Sequence, residues 1–252
     1  MMTGLGSFAP AGAAPTAAAD PVAYVDPMIG SGGDGFTVPG ATRPFGLTQV
    51  SPDTVNPLAY TGYKYEDGAI RGFSLLHVNG AGVPMGADLP FLPVTTPVQD
   101  PGNPTAFAVP FSHATESATA GAYAVTLGNG VTVSLGATPH GGLERFTPPA
   151  GVGLTVLADV GRNAAGLTTS TVRVTGSDQL EGSSLVHWRG GDYTAWFSAR
   201  FSRAFSSVAT YVGSATSSSR AASGTGAGAL LSFPAGGPVT LAVGVSLVDA
   251  RG

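Results

Sequence analysis

Helix-forming segments are scarce in this chain. No window of about twelve or more residues combines apolar residues at positions i, i+3 and i+4 with a starting cap and freedom from glycine and proline. The 252 residues include 38 glycines and 20 prolines, which end helices and mark turns. Short extended segments joined by turns are therefore the regular structure open to this chain.

The chain after residue 105 has the pattern of successive β-strands. Apolar runs flank Gly128-Asn129-Gly130, and an Asn-Gly pair in that setting is a strong hairpin signal. In Tyr193 to Phe201 apolar and polar residues alternate, as in a strand with one face in a core. Strands are also predicted over 122–127, 131–135, 153–160, 171–175, 208–212, 229–233 and 239–248. The pattern predicts an all-β fold with little helix, a large antiparallel β-sandwich, with a barrel as the alternative.

Composition excludes several classes of function. The net charge is −4, and the ten arginines and the single lysine, Lys64, are scattered, so no nucleic-acid partner is expected. The absence of cysteine rules out disulfides and thiolate metal sites. The four histidines are too far apart in sequence for a local metal-binding motif. No apolar run reaches the roughly 18 residues of a membrane span.

Residues 1–21 form a tail rich in alanine, glycine and proline. Thr16 to Ala19 resemble the small-residue cleavage region of a secretory signal, but a basic start and an uninterrupted apolar stretch are missing. Two interpretations remain: a signal remnant, or a disordered tail. The sandwich domain is expected to occupy residues 22–250.

The glycine-rich segment 25–54 contains the spacing G-x-G-x-x-G at Gly30 to Gly35. In a dinucleotide-binding fold this turn opens a helix that holds the pyrophosphate. Pro39 and Pro44 follow too closely for such a helix, which argues against a nucleotide site. Apolar residues recur through the segment, as they do in a loop whose backbone approaches a ligand.

A second cluster, residues 62–88, brings aromatics, Lys64, His77 and Asn79 together in a chain poor in polar groups. Proteins hold sugars with aromatic faces against C–H surfaces and with amides, imidazoles or carboxylates on hydroxyls. A structural interpretation competes with this one. In it, His77 is a hydrogen-bonded histidine in a sheet, and Tyr63 and Tyr65 are alternate residues of a strand.

The two segments in this order, VDPMIGSGGDGFTVPGATRPFGLTQVSPDT and GYKYEDGAIRGFSLLHVNGAG, resemble the N-terminal domain of glycoside hydrolase family 92. The resemblance continues through Phe111 to Glu116, Gly121 to Leu127, Leu143 to Thr147 and Tyr193 to Phe205, and covers about residues 22–250.

The family consists of calcium-dependent, exo-acting α-mannosidases. The resemblance implies an inverting, secreted or periplasmic enzyme that acts on mannose-containing glycans. It also implies a β-sandwich of the supersandwich type, packed on a C-terminal (α/α)6 barrel with the active site at the junction. We expect that barrel to be absent from this chain, and with it the catalytic carboxylates and the calcium ligands.

The carboxylates agree with that expectation. Inverting hydrolysis requires an acid and a base roughly 6.5–9.5 Å apart. Of the four glutamates only Glu66 has an acidic neighbour, Asp67, and adjacent residues of a strand point to opposite faces. No catalytic and no metal-binding residue is predicted in this chain.

By resemblance, the sugar-facing edge carries the tip of the glycine-rich loop and the segment around His77. The predicted substrate-binding residues are Gly33, Asp34, Gly35, Phe36, His77, Asn79 and Gly80. Phe36 would form an apolar wall, Asp34 and Asn79 would bond hydroxyls, and His77 would orient a hydroxyl or a loop carbonyl. The family tip commonly reads Gly-His-Gly-His-Thr, whereas Asp34 and Phe36 replace both imidazoles here.

Three functions from different classes are compatible with the sequence. The chain is the sandwich portion of an α-mannosidase that is inactive alone, a free-standing carbohydrate-binding module, or a structural fragment that binds nothing. Exposed apolar surface at the expected barrel interface favours the first.

Overall fold

The computed structural model of the protein describes residues 20–56, 58–187 and 190–250. Nearly all of the predicted tail therefore lies outside the described residues. Helical structure in the described chain is limited to a 3₁₀ turn, Pro21–Tyr24, and a short α-helix, α1 (Pro104–Phe107). None of these helices is long and apolar enough to span a membrane.

The strands are short and follow one another closely. They are β1 (Ala41–Thr42), β2 (Gln49–Thr54), β3 (Ala69–Ser74), β4 (Phe91–Val94), β5 (Val109–Thr119), β6 (Ala122–Leu127), β7 (Thr132–Thr138), β8 (Gly141–Thr147), β9 (Leu154–Ala158), β10 (Arg162–Asn163), β11 (Gly166–Leu167), β12 (Thr169–Val174), β13 (Gln179–Val186), β14 (Tyr193–Phe201), β15 (Ser207–Val212), β16 (Ala215–Ser217), β17 (Ala221–Thr225), β18 (Ala227–Phe233) and β19 (Val239–Ser246). The prediction of an all-β chain with little helix is confirmed.

Two antiparallel layers form the sandwich. The larger layer has the order β17-β12-β13-β14-β19-β8-β7-β6-β5. The smaller layer has the order β16-β15-β18-β9-β4-β3-β2-β1. Strand β5 joins them, because its first residues pair with β3 and its last residues pair with β6.

The core lies between the layers. Phe91 on β4 meets Phe197 on β14 edge to face, with ring centroids 6.2 Å apart, and Phe201 contacts Phe233 of β18 at 5.5 Å. The inward positions of β14 are the alternate residues that the sequence pattern predicted, from Ala195 to Phe201. Aromatic pairs of this kind add to the burial of apolar area that stabilises a sandwich.

The predicted hairpin between β6 and β7 is confirmed. Of the Asn129-Gly130 pair, Gly130 adopts a positive φ of 81° and Asn129 does not. The amide of Gly130 donates to the carbonyl of Leu127, and the side chain of Asn129 accepts from Val131. The loop is therefore a turn followed by one left-handed glycine, which is a common longer hairpin connection.

Glu144 is an exception within the core. It faces inward from β8, is fully buried, and neither carboxyl oxygen has a hydrogen-bond partner among the described residues. Burial, and secondarily the charge of Asp53, raise the pKa of Glu144 well above its usual value of 4.5. The folded chain therefore keeps a proton that the unfolded chain releases, and folding stability falls as pH rises above about 4.5.

We expect Glu144→Gln to reduce this pH dependence, because glutamine keeps the shape and has no proton to lose. The variant should unfold at a higher temperature than the wild type near pH 7 and at a similar temperature near pH 4, since both side chains are then neutral. Thermal unfolding followed by circular dichroism across this range measures the difference. A difference that stays constant with pH would contradict the assignment.

Gly182 on β13 marks a close approach of strands. A Cβ atom there would lie 1.9 Å from the carbonyl oxygen of Thr171 and 2.9 Å from the ring of Phe197, whereas one at Gly136 on β7 would meet nothing within 4 Å. We expect Gly182→Ala to destabilise the fold by roughly 1–3 kcal/mol through overpacking. The matched control Gly136→Ala should have a near-neutral effect in the same urea unfolding experiment. Equal unfolding midpoints for the two variants would show that the strands separate easily at β13.

Candidate functional site

The glycine-rich loop closes on itself at one end of the sandwich. Gly30 and Gly33 have positive φ values of 80° and 55°, and the amide of Thr37 donates to the carbonyl of Gly30 at 3.1 Å. A Cβ atom at Gly35 would lie 2.2 Å from that carbonyl oxygen, so the closed loop requires glycine there. No helix follows Gly35, in agreement with the prediction that excluded a nucleotide-binding turn.

Residues 64–66 hold the tip of this loop in place by hydrogen bonds. The amide of Gly33 donates to Oε1 of Glu66 at 2.8 Å, and Nζ of Lys64 donates to the carbonyl of Gly33 at 2.8 Å. The amide of Tyr65 donates to the carbonyl of Ser31 at 3.0 Å. The hydrogen bond from Gly33 lowers the pKa of Glu66. Glu66 is therefore an ionised acceptor that fixes backbone, the opposite of a protonated catalytic acid.

The segment 77–80 supports the loop from the other side. The amide of Gly80 donates to the carbonyl of Phe36 at 2.8 Å. The side chain of Asn79 accepts from the amide of Val38 at 2.9 Å and donates to Oε1 of Gln49 at 2.7 Å. The structure thus brings the two predicted segments into direct contact, although they lie about forty residues apart in sequence.

Phe36 is held in an uncommon conformation within this contact. Its φ is +52°, which is rare for an aromatic residue, and its ring stacks on Tyr60 with centroids 5.4 Å apart and planes 15° from parallel. Backbone strain of this kind persists where the surroundings fix it, and it is frequent at ligand-binding sites. The half-buried Phe36 ring stands beside the exposed Gly33, Asp34 and Gly35.

The His77 side chain is fully buried beneath the two loops. Its Nδ1 lies 2.7 Å from the carbonyl oxygen of Gln49, and its Nε2 lies 3.0 Å from Oδ1 of Asp53 and 3.1 Å from the hydroxyl of Ser74. Both ring nitrogens are thereby engaged by protein groups. The carbonyl that Nδ1 contacts belongs to Gln49, the first residue of β2, so the ring links this segment to the strand.

A second buried acid lies close to this histidine. Asp88 accepts a hydrogen bond from the Tyr193 hydroxyl at 2.9 Å. Burial raises the pKa of Asp88 to about 6, although hydrogen bonds from Tyr193 and Asn163 act in the opposite direction. The neighbours of Asp88 in sequence, Ala87 and Leu89, both have positive φ. The sequence placed Asp88 in the second cluster but carried no signal for its burial.

Two further side-chain contacts involve strands of this part of the sandwich. His113 lies on β5, and its Nδ1 is 2.6 Å from the Glu116 carboxylate. Arg71 on β3 donates from Nε to the carbonyl of Thr54. The first contact joins two residues of one strand, and the second joins the consecutive strands β2 and β3.

The chemistry available at the loops is recognition of hydroxyl groups by fixed polar atoms beside an aromatic wall. Asp34 is exposed, and no hydrogen bond ties its carboxylate to another described residue. Over residues 20–56, 58–187 and 190–250, no group of three or more His, Asp or Glu side chains is arranged to hold a metal ion. The site therefore has the features of a polar half-pocket.

Comparisons with known proteins agree with this geometry. Residues 24–246 match the glycosyl hydrolase family 92 N-terminal domain. A family 92 alpha-mannosidase from Bacteroides thetaiotaomicron is 30% identical, with a TM-score of 0.84, over 91% of this chain and 34% of that one. The GH92 family glycosyl hydrolase ccman5 is 28% identical, with a TM-score of 0.84, over 92% of this chain and 33% of that one.

A protein described as an uncharacterized secreted glycosidase, from Arthroderma benhamiae, is 28% identical over 204 residues, which are 73% of this chain and 26% of that protein. The chain thus spans about a third of the solved structures and about a quarter of this relative. The match covers nearly all described strands, and both solved relatives share the sandwich. The chain belongs to the glycosyl hydrolase family 92 N-terminal domain family.

Proposed function

We propose that this chain forms one wall of the active site of an exo-acting, inverting α-mannosidase, whose other wall is a C-terminal (α/α)6 barrel domain. The observation that carries the proposal is the contact between the tip 33–36 and the segment 77–80, with the Phe36 ring fixed beside exposed polar groups. The family match and the solved relatives support the enzyme class.

The residues of this wall are suited to holding a terminal mannose. The Phe36 ring, stacked on Tyr60, offers an apolar edge for the C–H surface of a pyranose. Asp34, exposed at the tip, supplies acceptor oxygens for vicinal hydroxyls. Asn79 and Gly80 fix the backbone that carries Phe36, so their role is to orient the wall.

The acid and base must come from outside this chain. Glu66, whose carboxylate accepts from the Gly33 amide of the tip, has a lowered pKa and is unsuited to be the protonated acid that the leaving oxygen requires. In the proposed reaction this chain binds and orients the sugar and helps to exclude water. Protonation of the leaving group and activation of water belong to the barrel domain.

Exposed apolar residues are concentrated in the part of the sequence that carries the site, as expected of a surface that meets that domain and the saccharide together. Nine of the fourteen exposed large apolar residues of the described chain fall between residues 22 and 83. They are Val22, Tyr24, Val25, Ile29, Phe45, Leu58, Tyr65, Val78 and Val83. Their concentration on the loops that carry the site favours a partner domain over a free-standing binding module, since exposed apolar groups cluster at interfaces.

A calcium ion, if the complete enzyme uses one, does not fit the described residues of this chain. These residues bring no set of three carboxylate or imidazole groups together, and calcium in proteins takes six to eight oxygen ligands. We propose that its ligands lie in the barrel domain. We also propose that the complete protein is secreted or periplasmic, a location supported by the relative described as a secreted glycosidase.

We expect the isolated chain to release no mannose from an α-linked mannobiose and to bind mannose with at best about millimolar affinity, because a half-pocket leaves most of the ligand exposed. Isothermal titration with mannose and with the mannobiose, with and without a family 92 barrel domain, measures this. Cleavage restored by the barrel supports the proposal. Failure to bind or cleave even with the barrel would overturn it, and barrel-independent micromolar binding would favour the binding-module alternative.

Phe36→Ala and His77→Ala should have different effects. Phe36→Ala should weaken saccharide binding and leave the fold intact, because the ring is half exposed at the loop. His77→Ala should lower the free energy of unfolding by roughly 2–4 kcal/mol, since the buried Asp53 carboxylate and the Gln49 carbonyl each lose the imidazole as a partner. Thermal unfolding and saccharide titration of both variants separate the effects. A destabilised Phe36→Ala chain would show that the ring is part of the core.

A further inference from the structure

A cleft of about 410 Å³ is lined in part by the glycine-rich loop, and Phe36 is not among its lining residues. One wall is the segment 26–32, and the other is strand β5 with Tyr65. Ser31 and Gly32, which line the cleft, directly precede the tip, so the cleft and the proposed sugar wall share one loop. The sequence assigned no role to the residues of β5 found here.

A bulge in β5 creates the polar floor of this cleft. Phe111 pairs with Leu127 and Glu116 with Val125, so four residues of β5 stand opposite one residue of β6. In a regular strand His113 and Glu116 would face opposite sides, because side chains alternate. The bulge turns both into the same cleft, as bulges often do beside functional sites.

Glu116 is a buried carboxylate with several donors. Its side chain is 3% exposed and accepts hydrogen bonds from the hydroxyls of Tyr63 and Tyr123 at 2.9 Å and 2.6 Å. Burial, and then the charge of Glu116, raise the pKa of both tyrosines, which therefore remain protonated donors. The position of the Glu116 side chain is therefore fixed by these hydrogen bonds.

His113 connects this carboxylate to the cleft. Its Nδ1 lies 2.6 Å from Glu116 and donates to it, which fixes the tautomer and leaves Nε2 as the ring nitrogen for a ligand. The ring stacks on Tyr65 with centroids 3.9 Å apart and planes 11° from parallel. His113 is about one third exposed, and Tyr65 is 42% exposed. A fixed acceptor and an aromatic surface therefore stand side by side.

The charges select the ligand class. Asp26 and Glu116 disfavour an anionic ligand. A cationic ligand is also disfavoured, because the Glu116 oxygens are already bonded to three donors. No cluster among the described residues is arranged to hold a metal ion. A neutral ligand with hydroxyl groups and an apolar face matches an imidazole acceptor, an aromatic ring and the exposed Ile29.

We propose that this cleft binds a further sugar residue of the glycan whose terminal mannose meets the tip 33–36. The inference rests on the proposed function, because the shared loop is what makes the two places parts of one saccharide path. Tyr65 and Ile29 contact the sugar face, and His113 Nε2 accepts a hydroxyl.

The test is titration of the isotopically labelled chain by NMR with methyl α-mannoside and with a linear α-mannotriose. The trisaccharide should shift the amide signals of Tyr65 and His113 in addition to those of the tip, and the monosaccharide should shift only the tip. Tyr65→Ala should weaken trisaccharide binding about fivefold to tenfold, the usual effect of losing an aromatic contact, and leave monosaccharide binding unchanged.

Two further variants separate ligand contact from structural damage. His113→Gln retains an amide donor for Glu116 and loses the acceptor nitrogen, so it should weaken trisaccharide binding with little change in unfolding temperature. Leu143→Ala, with 47% exposure on the outer face of β8, is the control matched in exposure to Tyr65 and should change neither affinity. Trisaccharide signals confined to the tip would overturn this inference and leave the proposed function standing. Absence of shifts with either saccharide would also overturn this inference, whereas the proposed function is decided by the titration with the barrel domain.

Discussion

The buried contact between Asp53 and His77 holds the site on the sandwich. Asp53 belongs to β2 and His77 follows β3, and both side chains are fully buried with a 3.0 Å separation between Oδ1 and Nε2. Gly62 also passes so close that a Cβ atom would lie 2.4 Å from the same carboxylate oxygen. A buried pair of this kind is strongly destabilising to break. The loops after β2 and β3 are therefore fixed together before any ligand arrives.

Residues next to this contact hold the exposed loop in place. Asn79 and Gly80 follow His77 closely in sequence, and they bond the backbone on both sides of Thr37, at the Val38 amide and the Phe36 carbonyl. The tip thus acquires its shape from a core interaction, although its own sequence is mostly glycine. The buried residues fix the backbone, and the exposed residues of the tip are left free to contact other molecules. Binding residues of proteins commonly lie in this way on loops carried by a stable scaffold.

Strands were predictable from sequence where one face is buried and the other exposed. Alternation located β6, β14 and β19 within a few residues. Strands β2, β3 and β4 were not predicted, because nearly all of their residues are buried and their sequences show no alternation of apolar and polar residues. Pro52, Gly72 and Pro93 also interrupt them, and these residues usually indicate turns. Their positions depend on pairing with distant strands.

The site was predictable in part for a related reason. Family resemblance selected the tip and the segment 77–80 as a substrate-binding site, which stays a prediction, and the structure shows that the two segments are in contact. The sequence did not predict the burial of His77 or the shared orientation of His113 and Glu116. The first depends on a carboxylate twenty-four residues away and the second on a register shift in β5. Both are tertiary properties, which local patterns do not encode.

Backbone strain is concentrated around the candidate site. Phe36, Phe45, Ala87 and Leu89 are the non-glycine residues with positive φ in the described chain, and all lie between the start of the site loops and β4. Each conformation costs roughly 1–3 kcal/mol and persists only where neighbouring contacts enforce it. At Phe36 these contacts are the Gly80 hydrogen bond and the Tyr60 stack. A loop that is already ordered loses less conformational entropy when a ligand binds. Less of the favourable contact energy is then offset by that entropy loss.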